Sequence, residues 1–519
     1  GLMKRGFILT MLLILSLALT AETVKINDSE FGVSVSSSDD YSTVINYNID
    51  SFNAEKVNIN GEIYYQISLN GEPLLLEAGN PSLPKIARSI MIADQSAMSV
   101  NVISSEYVEY NNFKIAPSKG NLTRDINPDD VPYTFSQAYS ENDFYPAILA
   151  DSNDPYILRD VRGLTVNVYP FAYNHVTQTL RVYHSMIVEV VNNGSYGINQ
   201  KTRDSEKINA AFSEIYKTRF INYTTDRYEP MNEIGRMIVI SHPDFLEAMQ
   251  PFVEWKRQKG IQTEIVDFST IGTTANQLKT YIQEQYDLND GLAFVQLVGD
   301  AAQIPSLSAS GGASDPSYAL LEGNDNYPDI FVGRFSAETV VQVETQVLRT
   351  IHYERDMATT DTWIPGGIGI GSSQGAGTGD DGEADWVHLN NIRNKLLIDV
   401  EPFYTYTLVD QIYDNNGGNA GMVTASLNEG RSIINYTGHG SNTSWSSTGY
   451  SNTHINQLIN DYKLPHIISV ACVNGNFTVT TCFAEAWTRA TNNTTGNPTG
   501  AVAIYASSIN QTWAPPMSA

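Results

Sequence analysis

At 519 residues the chain is too long for one ordinary domain, and its length predicts about three. With 42% hydrophobic and 10% aromatic residues it can bury a sizeable core. A net charge of -26, from 31 Lys+Arg against 57 Asp+Glu, argues against nucleic acid or an anionic membrane surface as partner, because both demand a basic face. The acidic balance suits bound Ca2+ or basic substrate side chains, and plain solubility accounts for it equally well.

Lys4 and Arg5 precede an apolar run over residues 6–15, and Ser16-Leu17-Ala18 offers a small-x-small cleavage site. A run this short with basic flanks predicts a signal peptide over 1–20, with a cut after Thr20 or Ala21 as the alternative. No later stretch approaches about eighteen consecutive apolar residues, so no membrane span is expected and the mature chain is read as secreted or held at the cell surface.

Residues 21–227 read as a β-rich unit followed by a linker. Short alternating runs such as Val57-Asn58-Ile59-Asn60 and Leu164-Thr165-Val166-Asn167-Val168, punctuated by Asn, Asp, Gly and Pro, predict an all-β sandwich. Residues 199–226 are polar and charged, with a helical stretch near 210–216. The pattern then changes. Met237-Ile238-Val239-Ile240, fully apolar, and 262–266 and 292–298 read as strands alternating with helical stretches at 245–258 and 275–286. That alternation predicts βαβ units and parallel sheets covered by helices. It resumes after a glycine-rich break, giving two successive α/β subdomains, 228–365 and 366–519.

Two segments carry chemistry. An apolar strand runs into Gly438-His439-Gly440, and a second, His466-Ile-Ile-Ser-Val-Ala471, ends at Cys472. The separation of 33 residues suits one strand–helix–strand crossover, with its helix expected at 455–462. Such a crossover sets two strand ends side by side at the carboxyl edge, where open α/β sheets bind ligands. An imidazole beside a thiol can lower the thiol pKa and protonate a leaving amine, with the Gly440 and Cys472 N–H groups as oxyanion donors. A buried inert thiol beside a turn histidine is the bland alternative. Cys472 and Cys482 are the two cysteines, and a bridge between them is a minor alternative to a free thiol.

Asn435-Tyr-Thr-Gly-His-Gly-Ser441, Val470-Ala-Cys-Val-Asn-Gly475 and Cys482-Phe-Ala-Glu485 resemble the catalytic region of the gingipain family of cysteine peptidases, most strongly the arginine-specific type. Leu297-Val-Gly-Asp300, Val332-Gly-Arg-Phe-Ser336 and Ser508-Ile-Asn-Gln-Thr-Trp513 extend the resemblance, and Ala116-Pro-Ser-Lys-Gly120 carries it into the N-terminal part. It implies a caspase-like α/β catalytic domain behind an inhibitory prodomain, a secreted endopeptidase needing no cofactor for catalysis, and substrates with a basic residue before the scissile bond. By the resemblance Cys472 is the nucleophile and His439 its base. Gln374 stands where the family has an acidic residue orienting the histidine, so a slower enzyme or a working dyad is expected. Asp385 matches the base of the arginine pocket, Trp513 its lining, and Thr437 and Val470 its walls. Arg227 marks the processing point before Tyr228, and Arg124 is a candidate plug from the prodomain. Structural Ca2+ is implied at Asp300, Asp329 and the backbone of Phe331, whereas His388, His454 and His466 read as isolated structural residues. Family members run on beyond the catalytic domain, so a truncated chain is expected. A secretion-linked processing peptidase of the same family and a non-catalytic adhesion protein on this fold are the rival readings.

Overall fold

The computed structural model describes residues 22–203, 207–224, 229–230, 234–358, 360–398 and 406–517; the signal segment and Arg227 lie outside them. The N-terminal part is built from antiparallel sheets of three, four and five strands. In the largest, Thr179–Tyr196 pairs with Ser42–Asn48 and Ser96–Asn111. Along Ser42–Asn48 every second residue turns inward, and Ile45 and Tyr47 meet Phe171, Val182 and Val188 in one core. Period-two burial of this kind fixes register, because a one-residue slip would expose the whole apolar set.

The segment expected as a linker is instead anchored. Ala210–Arg219 is a helix capped by Asn209, and its Phe212 and Tyr216 are buried against Tyr156, Leu158 and Phe220. Aromatic residues three to four apart gave it a face to bury, which polar composition alone concealed.

The first α/β unit holds strands β1 (Arg236–Ser241), β2 (Thr263–Asp267), β3 (Leu292–Val298) and β4 (Phe331–Phe335). They form a parallel sheet in the order β2-β1-β3-β4. Met237 and Val239 face the helix Gln250–Gln258, while Ile238 and Ile240 face the helix Ala275–Asp287. Burial on both faces explains why β1 is apolar at successive positions. The second unit holds β5 (Gly366–Gly371), β6 (Leu408–Tyr413), β7 (Ile433–Thr437), β8 (His466–Val470) and β9 (Ala503–Ala506). Their order is β6-β5-β7-β8-β9, parallel throughout.

The β7–β8 connection differs from the expected helical crossover. Residues 440–451 form a small antiparallel sheet of three two-residue strands, and the helix that follows spans only Asn452–Ile455. Beyond it Asn460 donates from Nδ2 to the carbonyls of Lys463 and Gly500 and accepts the Gly500 N–H, holding a non-helical path. Asparagine competes with helical backbone bonds in this way. Among the described residues no helix is long and apolar enough to cross a membrane.

Candidate active site

β7 and β8 are neighbours with Thr437 opposite Val470, so His439 and Cys472 each lie two residues past a paired strand end. The loop then closes tightly: Gly438 N–H donates to the Val470 carbonyl at 3.1 Å. A Cβ on Gly440 would stand 2.7 Å from the Cys472 carbonyl oxygen, so only glycine permits that approach. Asn474, fully buried, donates to the carbonyls of Ser441 (2.6 Å) and Ser444 (3.1 Å) and accepts from Ser469 Oγ. It fastens the histidine loop to the cysteine strand. Its place two residues after the cysteine is a signal that could have marked it from the sequence. Val473, next to Cys472, has φ of 50°. A β-branched residue in the left-handed region is strained, and such strain collects where a site is over-determined by its surroundings.

His439 Nε2 meets Gln374 Oε1 at 2.7 Å, and the Trp513 ring stands edge-on to the imidazole at 5.3 Å. The amide oxygen accepts the Nε2 proton, which leaves the lone pair on Nδ1. Among the described residues no hydrogen bond joins the imidazole to Cys472. The thiol is 4% exposed, and its pKa is raised by burial and by the Asp125 carboxylate, against the opposing pull of the Gln511 N–H and Arg124. Both cysteines are free. Cys482 caps the helix Phe483–Arg489, and burial together with Glu485 pushes its thiol up to about 12, which makes it an unreactive structural residue.

Asp385 opens the helix Asp385–Leu396 and is fully buried. Arg124 occupies the pocket above it. Its Nη1 donates to both carboxylate oxygens at 3.0 Å, and its Nη2 donates to Oδ1 at 3.0 Å and to the Trp513 carbonyl at 3.3 Å. The guanidinium carbon lies 4.5 Å from the centroid of the Trp513 ring. A planar cation with paired donors suits this carboxylate and ring better than an ammonium would. Ser372 Oγ also donates to Asp385 Oδ2, at 2.5 Å, a contact the sequence did not single out. Thr437, buried, accepts the Ser372 N–H through its carbonyl, while Val470 is half-buried beside it; neither hydrogen-bonds Arg124.

The segment carrying Arg124 binds as an added strand. Arg124 N–H donates to the Gln511 carbonyl at 2.7 Å, Trp513 N–H donates to the Leu122 carbonyl at 2.9 Å, and Thr123 bridges Thr512 antiparallel. Main-chain pairing of this kind accepts an extended peptide with little regard to its sequence. Past Arg124 the chain turns back: Ile126 N–H donates to the Thr123 carbonyl at 3.0 Å, and Trp513 Nε1 holds the Ile126 carbonyl at 3.2 Å. Arg124 and Asp125 therefore form the corner of a tight turn.

The expected calcium ligands are not brought together. Asp300 follows β3 and Asp329 precedes β4, and these parallel strands pair from Phe294–Phe331 to Val298–Phe335. The two carboxylates thus lie at opposite ends of the sheet, more than about 15 Å apart at the strand rise per residue. Asp300 is engaged by Arg489, and Asp329 by the N–H groups of Arg159, Leu321 and Glu322. Phe331 is committed to the sheet ladder, its ring stacked on Phe294. One ion cannot take this set. Ligand atoms of Asp380, Glu383 and His388 do lie within 4.8 Å of one another, with His388 Nδ1 2.7 Å from Glu383 Oε1. His388 is therefore not isolated; the acidic turn five to eight residues before it was its signal.

Residues 231–518 match peptidase family C25, and residues 25–231 match the C25 propeptide family. The chain is 42% identical over 447 residues to gingipain R2 of Porphyromonas gingivalis, covering 85% of this chain and 60% of that protein, and 25% identical over 479 residues to Lys-gingipain, covering 88% and 27%. It thus spans about 60% of the length of the arginine-type relative. Among solved structures it is similar to the Arg-specific cysteine proteinase gingipain R, at 42% identity and a TM-score of 0.52 over 55% of this chain and 65% of that one. A complex of gingipain pro- and mature domains from Porphyromonas gingivalis matches equally, with the same identity and TM-score over 55% and 66%. With more than half its length matched to one peptidase family and most of the remainder to that family's propeptide, the chain belongs to peptidase family C25.

Proposed function

We propose that the chain is the latent precursor of a cysteine endopeptidase that cuts after arginine. The observation carrying this reading is Arg124 of the propeptide seated in a buried pocket, its guanidinium paired with Asp385 and stacked on Trp513. A substrate arginine has the same chemistry and fits the same donors and acceptors.

In the reaction the Cys472 thiol passes its proton to His439 Nδ1 and its sulfur bonds to the carbonyl carbon of the substrate arginine. The Gly440 and Cys472 N–H groups take the developing oxyanion. The imidazolium protonates the amine as the C–N bond breaks, leaving a thioester. A water molecule, deprotonated by His439, then releases the acid and restores the thiol. Gln374 fixes the tautomer without adding charge, so it supports a slower enzyme than a carboxylate would. Cleavage at Arg227 by the same specificity would free the mature enzyme, and the apolar leader would direct export. Structural calcium belongs to this proposal; it takes oxygen ligands, so of the Asp380, Glu383 and His388 cluster only the two carboxylates suit it, and His388 serves as the hydrogen-bond partner of Glu383.

Matched peptides carrying Arg or Ala before the scissile bond test the reading. Wild-type protein is expected to prefer Arg strongly, and Asp385→Ala to abolish that preference at a cost of about 2–5 kcal/mol. Labelling by a thiol-directed probe should vanish in Cys472→Ala. Equal cleavage of both peptides by the wild type refutes the assignment.

A further inference from the structure

We propose that Ser372 is a positioning residue that couples occupancy of the arginine pocket to the orientation of His439; the idea rests on Asp385 being the pocket base. Ser372 follows β5 directly and is 2% exposed. Its hydroxyl has one proton, given to Asp385 Oδ2, and its oxygen accepts the Gln374 N–H at 3.3 Å. Only that polarity satisfies both contacts. Among the described residues no other side chain of the catalytic part donates to the Asp385 carboxylate.

Gln374 is held at both of its backbone groups. Ser372 Oγ takes its N–H, and its carbonyl accepts the Asp385 N–H at 3.0 Å. Its side chain then reaches His439 Nε2. Ser372 N–H also donates to the carbonyl of Thr437, two residues before the histidine. The route from pocket to base is therefore guanidinium, Asp385, Ser372, Gln374, His439. A guanidinium on Asp385 fixes the carboxylate and, through the shared hydroxyl, steadies the amide that fixes the imidazole. Chains of hydrogen bonds in a low-dielectric interior strengthen one another in this sense.

The experiment compares wild type, Ser372→Ala and Ser372→Thr in the full chain after its own processing, on matched peptides with Arg or citrulline before the scissile bond. Citrulline keeps the shape and removes the charge. Ser372→Ala is expected to shrink the Arg-over-citrulline advantage in both kcat and KM by about tenfold or more, the equivalent of one charged hydrogen bond. Ser372→Thr, which keeps the hydroxyl, is expected to retain it. A merely structural lesion lowers both substrates alike and overturns the proposal, as does an unchanged ratio. If Ser372→Ala does not fold, the near-isosteric Ser372→Cys carries the test with the same expectations, since the ratio is independent of how much enzyme is active. A wild type with no preference for Arg sinks the pocket reading itself, which separates that failure from a failure of Ser372.

Discussion

On the proposed mechanism, Gln374 and Asp125 are two single residues that set how reactive Cys472 is. Gln374 aims His439 without charge, so imidazolium gains no electrostatic support from it. Gln374→Glu is expected to raise kcat by about one to two orders of magnitude, the scale on which acid–base catalysis responds to a well-tuned partner. An unchanged or lower kcat in that variant would show the amide to be adapted rather than deficient. Asp125 lies on the other side of the balance. In the precursor, burial and the Asp125 charge both raise the Cys472 pKa against the pull of the Gln511 N–H and Arg124, so thiolate forms at higher pH than on an ordinary thiol. The sign follows directly: iodoacetamide reactivity of the intact precursor should rise at higher pH than that of a free thiol, and Asp125→Asn should move the midpoint downward. Coincident curves for the two precursors would remove Asp125 from the account.

Individual elements explain what could be read before any coordinates. β1 was legible because both its faces are buried, giving the unbroken run Met237-Ile238-Val239-Ile240. β6 and β9 were not read, since each is an edge strand with an exposed large side chain, Leu408 and Tyr505, and an edge carries a weaker apolar signal. The strand ends bearing His439 and Cys472 could be placed from their flanking β7 and β8 patterns, whereas the small sheet at 440–451 could not, because two-residue strands leave no periodicity. The wrong calcium set has the same kind of cause: motif order says nothing about which end of a sheet a residue occupies. The small sheet depends on Asn474. Asn474→Ala should cost about 1–3 kcal/mol through the carbonyls of Ser441 and Ser444 left without their donor. Denaturant melting measures this, and an unaltered midpoint would mean water replaces the amide.

Across the whole molecule, two of the propeptide's several grips on the catalytic part fall on different α/β units. One is Arg124 in the Asp385 pocket. The other is at the first α/β unit, where Arg159 N–H donates to Asp329 Oδ1, the Arg159 guanidinium donates to the carbonyls of Leu292 and Asp329, and Ile157 N–H donates to Asp325. Two grips on one body act with high effective concentration, so losing either should loosen the complex without dissolving it. Arg159→Ala is therefore expected to hasten propeptide release after cleavage while leaving the Arg preference of the freed enzyme intact. Release rates by size-exclusion chromatography decide it, and an unaltered rate would make the second grip ornamental.

On the proposed reading Asp385 serves both the propeptide and substrate, and that double duty restrains how such a peptidase can change. A lineage that altered Asp385 to admit another side chain would at the same stroke unfasten Arg124 and loose an unguarded protease inside the cell that makes it. Residues 124 and 385, far apart in the chain, are thus obliged to drift as a couple, and safety becomes the brake on new tastes.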